Sequence, residues 1–177
     1  MKVILTYAAT LNGKITKGDD ARIFSWTSKE DQENFKKIRD GFNLVIRSSK
    51  TYEASKESDK PRKERLIVVL TRDPSKYESD KILGQLEFTN EPPAELIKHL
   101  EGQGYNEALL AAGGKVSSLF FGEKLINEFH LTLEPKIFGM GTPMIAESDL
   151  DVDFKLESTD KLNEKGSLLL KYSVVYG

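Results

Sequence analysis

The residues best suited to chemistry follow a break in an apolar segment, where Gly113-Gly114-Lys115 comes directly after residues 108–112. The residues after this break predict a helix that ends around Gly122. Glycine lets the backbone approach an anion closely, and the free N–H groups at a helix N-terminus attract phosphate. Lys115 would add a positive charge, and Ser117 or Ser118 a hydroxyl group. The pattern predicts a phosphate site, although it is neither a Walker A loop nor a full G-x-G-x-x-G motif, and an ordinary turn has the same glycines.

The length and composition of the chain exclude several classes of protein. The 177 residues predict one domain spanning 1–177 with a core of its own. A net charge of -2 and a pI of about 5.8 exclude the strongly basic footprint of a nucleic-acid-binding protein. Cysteine is absent, which excludes disulfides and a thiolate nucleophile and fits a reducing cytosol. No segment approaches the roughly 18 apolar residues needed to cross a bilayer. We therefore expect a cytoplasmic protein without nucleic-acid or membrane partners.

The other sequence features do not predict a metal site or a hydrolase. The two histidines, His99 and His130, are far apart and have no cysteine or carboxylate cluster beside them, so they do not predict a metal site. The hydrolase motif G-x-S-x-G is absent. Polar and apolar residues alternate from Glu128 through His130 and Thr132 to Glu134, which indicates either a solvated sheet face or the lining of a cleft.

Alternating strand and helix patterns predict how these residues are positioned. Four short apolar segments predict strands at residues 3–7, 43–47, 66–70 and 108–112, and the last three are apolar on both faces, as buried parallel strands are. Helices are predicted for residues 28–40, with Ser28 as N-cap, for residues 93–102, and after the diglycine. Residues 125–137, 152–158 and 168–176 predict antiparallel strands, whereas the charged, serine-rich residues 50–64 predict a surface loop. The expected fold class is α/β, with a mainly parallel twisted sheet, antiparallel C-terminal strands and helices on both faces.

Six short motifs follow one another along nearly the whole chain. They are residues 9–15 (ATLNGKI), 26–28 (WTS) with 38–39 (IR), 45–52 (VIRSSKTY), 68–71 (VVLT), 113–114 (GG), and 125–129 (LINEF) with 135–141 (PKIFGMG). Each is weak alone, but in this order the chain resembles the dihydrofolate-reductase-like reductase family, and within it the C-terminal reductase domain of bifunctional riboflavin biosynthesis proteins. The resemblance implies an NADPH-dependent reductase that transfers hydride to a small heterocyclic substrate of pyrimidine or pteridine type.

The resemblance also implies roles for individual residues. It implies that the cofactor is contacted by Ala8, Trp26, Thr51, Thr71, Gly113, Gly114, Lys115, Val116 and Ser117. It implies substrate contacts by Asn12 and Arg39. Arg72 and Arg47, at the ends of two predicted strands, are candidates for binding the ribose 2′-phosphate that distinguishes NADPH from NADH. Reductases of this family commonly pair through sheet edges or final strands, so we expect a homodimer. Its apolar strand surface would be Phe129, Leu131, Val174 and Val175.

Three departures from the family pattern leave the substrate open. Asn12 stands where the family has an acidic residue, and an amide cannot deliver a proton. Ala112 stands where riboflavin-pathway members often have glutamate, and residues 53–63 contain no clear equivalent of their D-D-P-x-L-x-x-R segment. The proton that reduction requires would then come from water, Lys14 or Glu128. We therefore predict Asn12, Lys14 and Glu128 as the catalytic candidates.

Two other classes of function remain open. One is a nucleotide-binding or regulatory module that keeps the cofactor cradle but has lost catalysis, which Asn12 and Ala112 favour. The other is a structural or interaction domain without a nucleotide, because a diglycine is also ordinary turn chemistry. Dihydrofolate is a less favoured substrate than a pyrimidine, since no clear counterpart of the folate-binding acidic residue follows the Asn12 turn.

Overall fold

The computed structural model describes residues 1–177, which form eight strands and four α-helices. The strands are β1 (Lys2–Thr10), β2 (Leu44–Ser48), β3 (Leu66–Leu70), β4 (Leu86–Thr89), β5 (Glu107–Ala111), β6 (Glu128–Glu134), β7 (Asp153–Lys161) and β8 (Leu168–Val175). The helices are α1 (Lys29–Asp40), α2 (Ser49–Ser55), α3 (Pro93–Gly102) and α4 (Gly114–Gly122). No helix combines the length and the apolar character that a membrane crossing requires.

All eight strands join one sheet in the order β4-β3-β2-β5-β1-β6-β8-β7. Every pair from β4 to β6 is parallel. The C-terminal strand β8 runs antiparallel to β6, and β7 runs antiparallel to β8. The predicted fold class is therefore confirmed. Because β1 to β6 all point the same way, they end at one edge of the sheet, here called the carboxyl edge, where open α/β sheets bind their ligands.

Helices cover both faces of this sheet. On one face α3 and α4 pack against the strands, and Leu96 and Phe120 join a core of 19 buried residues. On the other face Phe35 of α1 packs against a cluster that contains Val45. Tyr52 of α2 joins a third cluster on that same face. Strand residues therefore contact helices on both sides, as the apolar character of the parallel segments predicts.

Local sequence signals place most elements correctly. The strand predicted for residues 66–70 has those bounds, and the other predicted strands and helices differ at their ends by no more than three residues. Ser28 is the N-cap of α1, and its hydroxyl accepts a hydrogen bond from the Asp31 N–H at 3.3 Å. The helix predicted after the diglycine is α4, which ends at Gly122.

The prediction of a surface loop for residues 50–64 is wrong. This segment contains most of α2, and Asp59 within it is only 6% exposed. Its carboxylate is bound by Arg47 and Arg65, which precede and follow the segment in sequence. A charged residue is therefore buried here because distant residues neutralise it. The short edge strand β4 was not predicted at all.

Candidate functional site

The N-terminus of α4 lies at the carboxyl edge and offers free hydrogen-bond donors. Gly113 is its N-cap, and the N–H groups of Gly114 and Lys115 have no acceptor within the protein. The Lys115 side chain is exposed and forms no ion pair. Gly114 has to be glycine, because a Cβ atom there would lie 2.7 Å from the Pro143 carbonyl oxygen. The predicted cradle thus has donors suited to a phosphate oxygen.

Two neighbouring strand ends meet this helix N-terminus. The Ser48 hydroxyl, at the end of β2, lies 2.9 Å from the Thr51 hydroxyl and 3.5 Å from the Gly113 nitrogen. Ala8 lies on β1, which pairs with β5, and is 3% exposed. The structure therefore brings together Ala8, Thr51 and the diglycine, as the resemblance implies.

Thr71 and Arg72 lie at the same edge but farther along it. They follow β3, which is separated from β5 by β2, so the strand spacing places them about 10 Å from the diglycine. The Thr71 hydroxyl accepts a hydrogen bond from the Asp73 N–H, and Arg72 is exposed without an ion pair. Arg72 is consequently free to meet an anionic group.

The serine hydroxyls predicted to help hold phosphate are already used inside the protein. Ser117 is fully buried, and its hydroxyl accepts a hydrogen bond from the Tyr7 hydroxyl at 2.6 Å. Burial also raises the pKa of Tyr7, so this pair is a neutral internal contact. The Ser118 hydroxyl donates to the Gly114 carbonyl and accepts from the Ala146 N–H. The Ser117 side chain therefore lies inside the protein against Tyr7, and its predicted contact with a ligand stays a prediction. Val116 is half-buried against the core and has only its backbone near the cradle.

Two loops at the carboxyl edge are joined to each other by backbone hydrogen bonds. Residues 11–18 follow β1, and residues 136–144 follow β6. Four amides connect them, from Leu11 to Lys136, Ile15 to Thr142, Gly18 to Met140, and Met144 to Gly13. Gly141 makes the contact possible, because it has a φ of 153° and a Cβ atom there would lie 2.1 Å from the Thr16 carbonyl oxygen. We call this joined pair the double loop.

Asn12 and Lys14 belong to the double loop. The Asn12 amide nitrogen donates to the Phe138 carbonyl at 2.8 Å, and its oxygen accepts from the Thr10 hydroxyl at 2.7 Å. The nitrogen and the oxygen of the Asn12 amide therefore both stabilise the double loop, so Asn12 has a structural role in addition to its predicted catalytic role. The backbone of Lys14 is bridged to Pro143 and donates to the Thr10 hydroxyl, so its position is fixed by the same contacts.

Trp26 lies just before α1 and has an unused polar atom. Its side chain is 4% exposed and packs edge-on against Phe138 of the double loop, with ring centroids 5.3 Å apart. Its indole N–H is buried without any hydrogen-bond partner in the protein. A buried donor left unpaired is costly, so such a group generally meets a water or a ligand. This orphaned donor fits a bound heterocycle.

Asp31, in the first turn of α1, is a buried acid at this edge. It is 6% exposed, and its burial raises the pKa of the carboxyl from 3.8 to about 6. The Thr132 hydroxyl beside it opposes this rise, whereas the charge of Glu134 adds to it. A carboxyl whose pKa lies near neutrality is suited to donating a proton.

Sequence reasoning missed Asp31. Together with Glu30 it follows the Ser28 cap, where acidic residues are common because they favour a helix N-terminus. A signal was present, because Asp31 precedes Phe35 and Ile38 by four and seven residues and therefore lies on the helix face that packs against the sheet. An acidic residue on that face is buried, and buried ionisable groups are candidates for function.

The polar face of β6 is buried rather than solvated. His130 is 9%, Thr132 3% and Glu134 2% exposed. The interpretation as a solvated sheet face is therefore wrong; Thr132 and Glu134 lie at the carboxyl edge beside Asp31 but are too buried to line an open cleft. Both Glu134 carboxylate oxygens accept hydrogen bonds, one from the Ser28 N–H at 2.7 Å and one from the Ser167 hydroxyl at 2.6 Å.

Glu128 lies at the opposite end of β6. Six residues separate it from Glu134, which corresponds to about 20 Å along a strand. Partial burial opposes its ionisation, but hydrogen bonds from Lys2 and His130 lower the pKa of Glu128 below its usual value. The prediction of Glu128 as a proton donor is therefore wrong on geometric grounds, since the cofactor cradle and the Asp31 carboxyl are at the other edge.

Two arginines predicted to meet ligands are bound internally instead. Arg39 lies 3.2 Å from the Asp59 carboxylate, Arg65 lies 2.8 Å from it, and Arg47 also contacts it. Arg47 is 2% exposed, and burial together with its arginine neighbours lowers its pKa. Arg47 therefore cannot reach a ribose phosphate, and Arg39 is already engaged by the carboxylates of Asp59 and Asp40.

An open cavity of about 500 Å³ lies beside α2. Its lining includes the cationic side chains of Arg22, Lys50 and Lys76. Arg22 is already paired with Asp20, whereas Lys50 and Lys76 form no ion pair. The lining also includes Glu53, which is paired with Lys56, so its two unpaired charges are the lysines. Lys50 directly precedes Thr51 in α2, which places one of these positive charges near the cradle.

Comparison with known proteins agrees with this architecture. Residues 1–167 match the sequence profile of a family described as the RibD C-terminal domain. The uncharacterized protein YwjB of Bacillus subtilis (strain 168) is 24% identical over 168 residues, which cover 92% of this chain and 93% of YwjB. A pyrimidine reductase-like protein of Corynebacterium diphtheriae superposes with a TM-score of 0.78 at 12% identity, over 99% of this chain and 92% of that one.

A bifunctional enzyme shares the same fold over about half of its length. The diaminohydroxyphosphoribosylaminopyrimidine deaminase/5-amino-6-(5-phosphoribosylamino)uracil reductase of Thermotoga maritima superposes with a TM-score of 0.71 at 17% identity, over 97% of this chain and 56% of that one. These likenesses confirm the dihydrofolate-reductase-like fold that the order of motifs predicts.

Proposed function

Since the chain belongs to the RibD C-terminal domain family, we propose that it is a reductase that uses NADPH to reduce a small heterocycle of pyrimidine or pteridine type. The observation that carries this proposal is the meeting of two features at the carboxyl edge. One is a helix N-terminus with free N–H groups beside Ser48 and Thr51. The other is Asp31, a buried carboxyl whose pKa is raised to about 6.

The residues present fit a dinucleotide. The free N–H groups of Gly114 and Lys115 would hold its pyrophosphate, and the Lys115 side chain would add charge. Ala8 is small and buried, which leaves room for a flat ring against β1. Lys50 and Arg72 would meet the ribose 2′-phosphate. Bound NADPH would supply the hydride.

Asp31 would supply the proton that reduction of a C=N or C=O bond requires. Hydride adds to the carbon of that bond and a proton to its heteroatom, and the cofactor leaves oxidised. With a pKa of about 6, roughly one Asp31 in ten carries a proton at pH 7. The Trp26 N–H would donate a hydrogen bond to the same substrate, since it has no partner in the protein. Asp31 thus takes the role for which Lys14 and Glu128 were the sequence-based candidates.

The substrate of this reductase would differ from the phosphorylated pyrimidine of the riboflavin pathway. Arg39, Arg47 and Arg65 are all held by the internal carboxylate of Asp59, and Arg39 and Arg65 also contact Asp40, so none of the three is free to bind an anionic tail. Ala112 is buried and offers no carboxylate to a substrate. A substrate without an anionic tail fits these surroundings better.

Cofactor binding is the first test. Trp26 is the single tryptophan, so its fluorescence reports on the proposed site. We expect saturable quenching by NADPH, weakened by Lys115→Ala and unaffected by Lys98→Ala, which removes an exposed lysine of α3. Absence of any response at millimolar NADPH, confirmed by calorimetry, would reject the proposal.

Turnover is the second test. Oxidation of NADPH is followed with a panel of pteridines, pyrimidines and simple carbonyl compounds. Oxidation with any of them supports the reductase and excludes a purely regulatory module. Saturable binding without turnover of any compound would favour the regulatory module instead.

We also propose that the protein is a homodimer formed through its C-terminal hairpin. The edge strand β7 exposes Phe154 and Leu156 by 40% and 51%, and its neighbour β8 exposes Val175 by 48%. An edge strand has unpaired backbone N–H and C=O groups, and beside exposed apolar side chains these can pair with a second copy of the chain. Phe129 and Leu131, which were predicted to form this surface, belong to the core instead, with 7% and 9% exposure. In a sedimentation experiment we expect the wild type to behave as a dimer and the Leu156→Lys variant to behave as a monomer.

A further inference from the structure

We propose that Glu134 is a positioning residue for Asp31, which it holds through the Ser28 cap of α1, an inference that rests on the proposed reductase function. Glu134 does not itself face an open cleft, because it is 2% exposed and both of its oxygens are bonded within the protein. It acts through the start of α1.

The geometry links the two carboxyl groups through the helix cap. One Glu134 oxygen accepts from the Ser28 N–H at 2.7 Å, and the Ser28 hydroxyl accepts from the Asp31 N–H at 3.3 Å. The second Glu134 oxygen accepts from Ser167, which precedes β8. Thr132, two residues before Glu134 on the same face of β6, lies beside the Asp31 carboxyl. The first turn of α1 is therefore held from β6 at two points.

Glu134 is also the charged residue that affects the pKa of Asp31. Both of its oxygens accept hydrogen bonds, which is the pattern of an ionised carboxylate. A second negative charge nearby makes ionisation of Asp31 harder, so Glu134 adds to the effect of burial on the pKa of Asp31.

Other charged groups near Asp31 are engaged elsewhere. On β6, His130 is bonded to Glu128. On β8, Lys171 pairs in register with His130 rather than with Thr132. On α1 itself, Lys29 and Glu30 are exposed to solvent. Glu134 is thus the one charged side chain that the structure couples to Asp31.

The substitution Glu134→Gln removes the negative charge of Glu134 and keeps the shape of its side chain. The glutamine oxygen can still accept from the Ser28 N–H, and its amide nitrogen can donate to the Ser167 hydroxyl. The negative charge is lost. Glu128→Gln is the matched control, because it removes a charge from the same strand at the opposite edge.

The experiment is a ¹³C-carboxyl NMR titration of protein labelled in aspartate and glutamate, with the Asp31 signal assigned by Asp31→Asn. We expect a midpoint of about 6 for Asp31 in the wild type. The midpoint should fall by roughly one pH unit in Glu134→Gln and stay unchanged in Glu128→Gln. An unchanged midpoint in a folded Glu134→Gln protein would overturn the proposal.

A second readout needs no Glu134 variant. The Glu134 carboxyl signal of the wild type should show an inflection near the Asp31 midpoint, and Asp31→Asn should abolish it. If that inflection persists in Asp31→Asn, the two groups are not coupled and the proposal is overturned.

The same variants separate this inference from the reductase proposal. If the reductase proposal is correct, the pH profile of kcat moves with the Asp31 midpoint in Glu134→Gln. If the midpoint moves but no compound is ever reduced, the coupling stands and the reductase proposal fails. If kcat falls without any change of its pH profile, Glu134 has only a structural role.

Discussion

Replacing Asp31 by asparagine should stabilise the protein at neutral pH while abolishing the proposed reduction. Asparagine has nearly the same shape as aspartate but carries no charge, so it avoids the cost of an ionised group in a buried position. It cannot deliver a proton. A gain in stability coupled to a loss of activity is the signature of a functional residue held in an unfavourable environment.

The magnitude follows from the pKa. Burial raises the pKa of Asp31 from 3.8 to about 6. Each tenfold change in an acid constant corresponds to about 1.4 kcal/mol, so ionised Asp31 costs the folded state about 3 kcal/mol. The folded chain holds this proton more tightly than the unfolded chain, so wild-type stability falls as the pH rises from about 4 to about 6. Below that window Asp31 is protonated in both states and the cost disappears.

The assay is urea unfolding of wild type and Asp31→Asn at roughly pH 4.5 and pH 7.5. We expect the variant to be more stable than the wild type by about 3 kcal/mol at the higher pH. At the lower pH the two should differ by about 1 kcal/mol or less. Glu33→Gln is the matched control on the same helix, since Glu33 is exposed and makes only a solvent-exposed ion pair with Lys29, so it should not stabilise the protein. A variant that is equally or less stable at both pH values would refute the reasoning about burial.

Four further substitutions test other parts of the site. Asp59→Ala leaves the buried Arg47 without its carboxylate, so we expect a loss of about 3 to 5 kcal/mol in urea unfolding. Tyr7→Phe removes the hydroxyl that donates to Ser117, at a cost of about 1 to 3 kcal/mol, with NADPH affinity unchanged. Gly114→Ala forces a Cβ atom against the Pro143 carbonyl, and should weaken both stability and NADPH binding, measured by unfolding and by Trp26 quenching. Arg72→Ala should weaken NADPH roughly tenfold and spare NADH; equal losses for both would remove Arg72 from the 2′-phosphate site.

The sequence predicted those parts of the structure whose causes are local. The strand at residues 66–70 is a continuous β-branched segment, and the cap at Ser28 has acidic residues directly after it, so neighbouring residues decide both. The diglycine is similarly informative because a strand end and a helix start adjoin it. The order of motifs then gave the fold.

The errors arise where residues far apart in sequence decide the outcome. The charged sequence of residues 50–64 predicts exposure to solvent, but Arg47 and Arg65, which lie outside the segment, bind Asp59 and allow its burial. The polar face of β6 looks solvated until α1 and β8 cover it. Asp31 looks like a helix-favouring residue until Thr132 and Glu134, about a hundred positions later, are brought beside it. No local pattern contains that information.

The double loop has a consequence for the timing of ligand exchange. Its four connecting amides run between two segments that are about 125 residues apart in sequence, and all four depend on the close approach at Gly141. Neither segment can swing outward alone without breaking the whole set, so these amides should exchange with deuterium at a common rate. Since Trp26 packs against Phe138 of the double loop, access to the Trp26 side of the proposed site would follow one cooperative opening event, and release of a product of the proposed reaction would be no faster than that event.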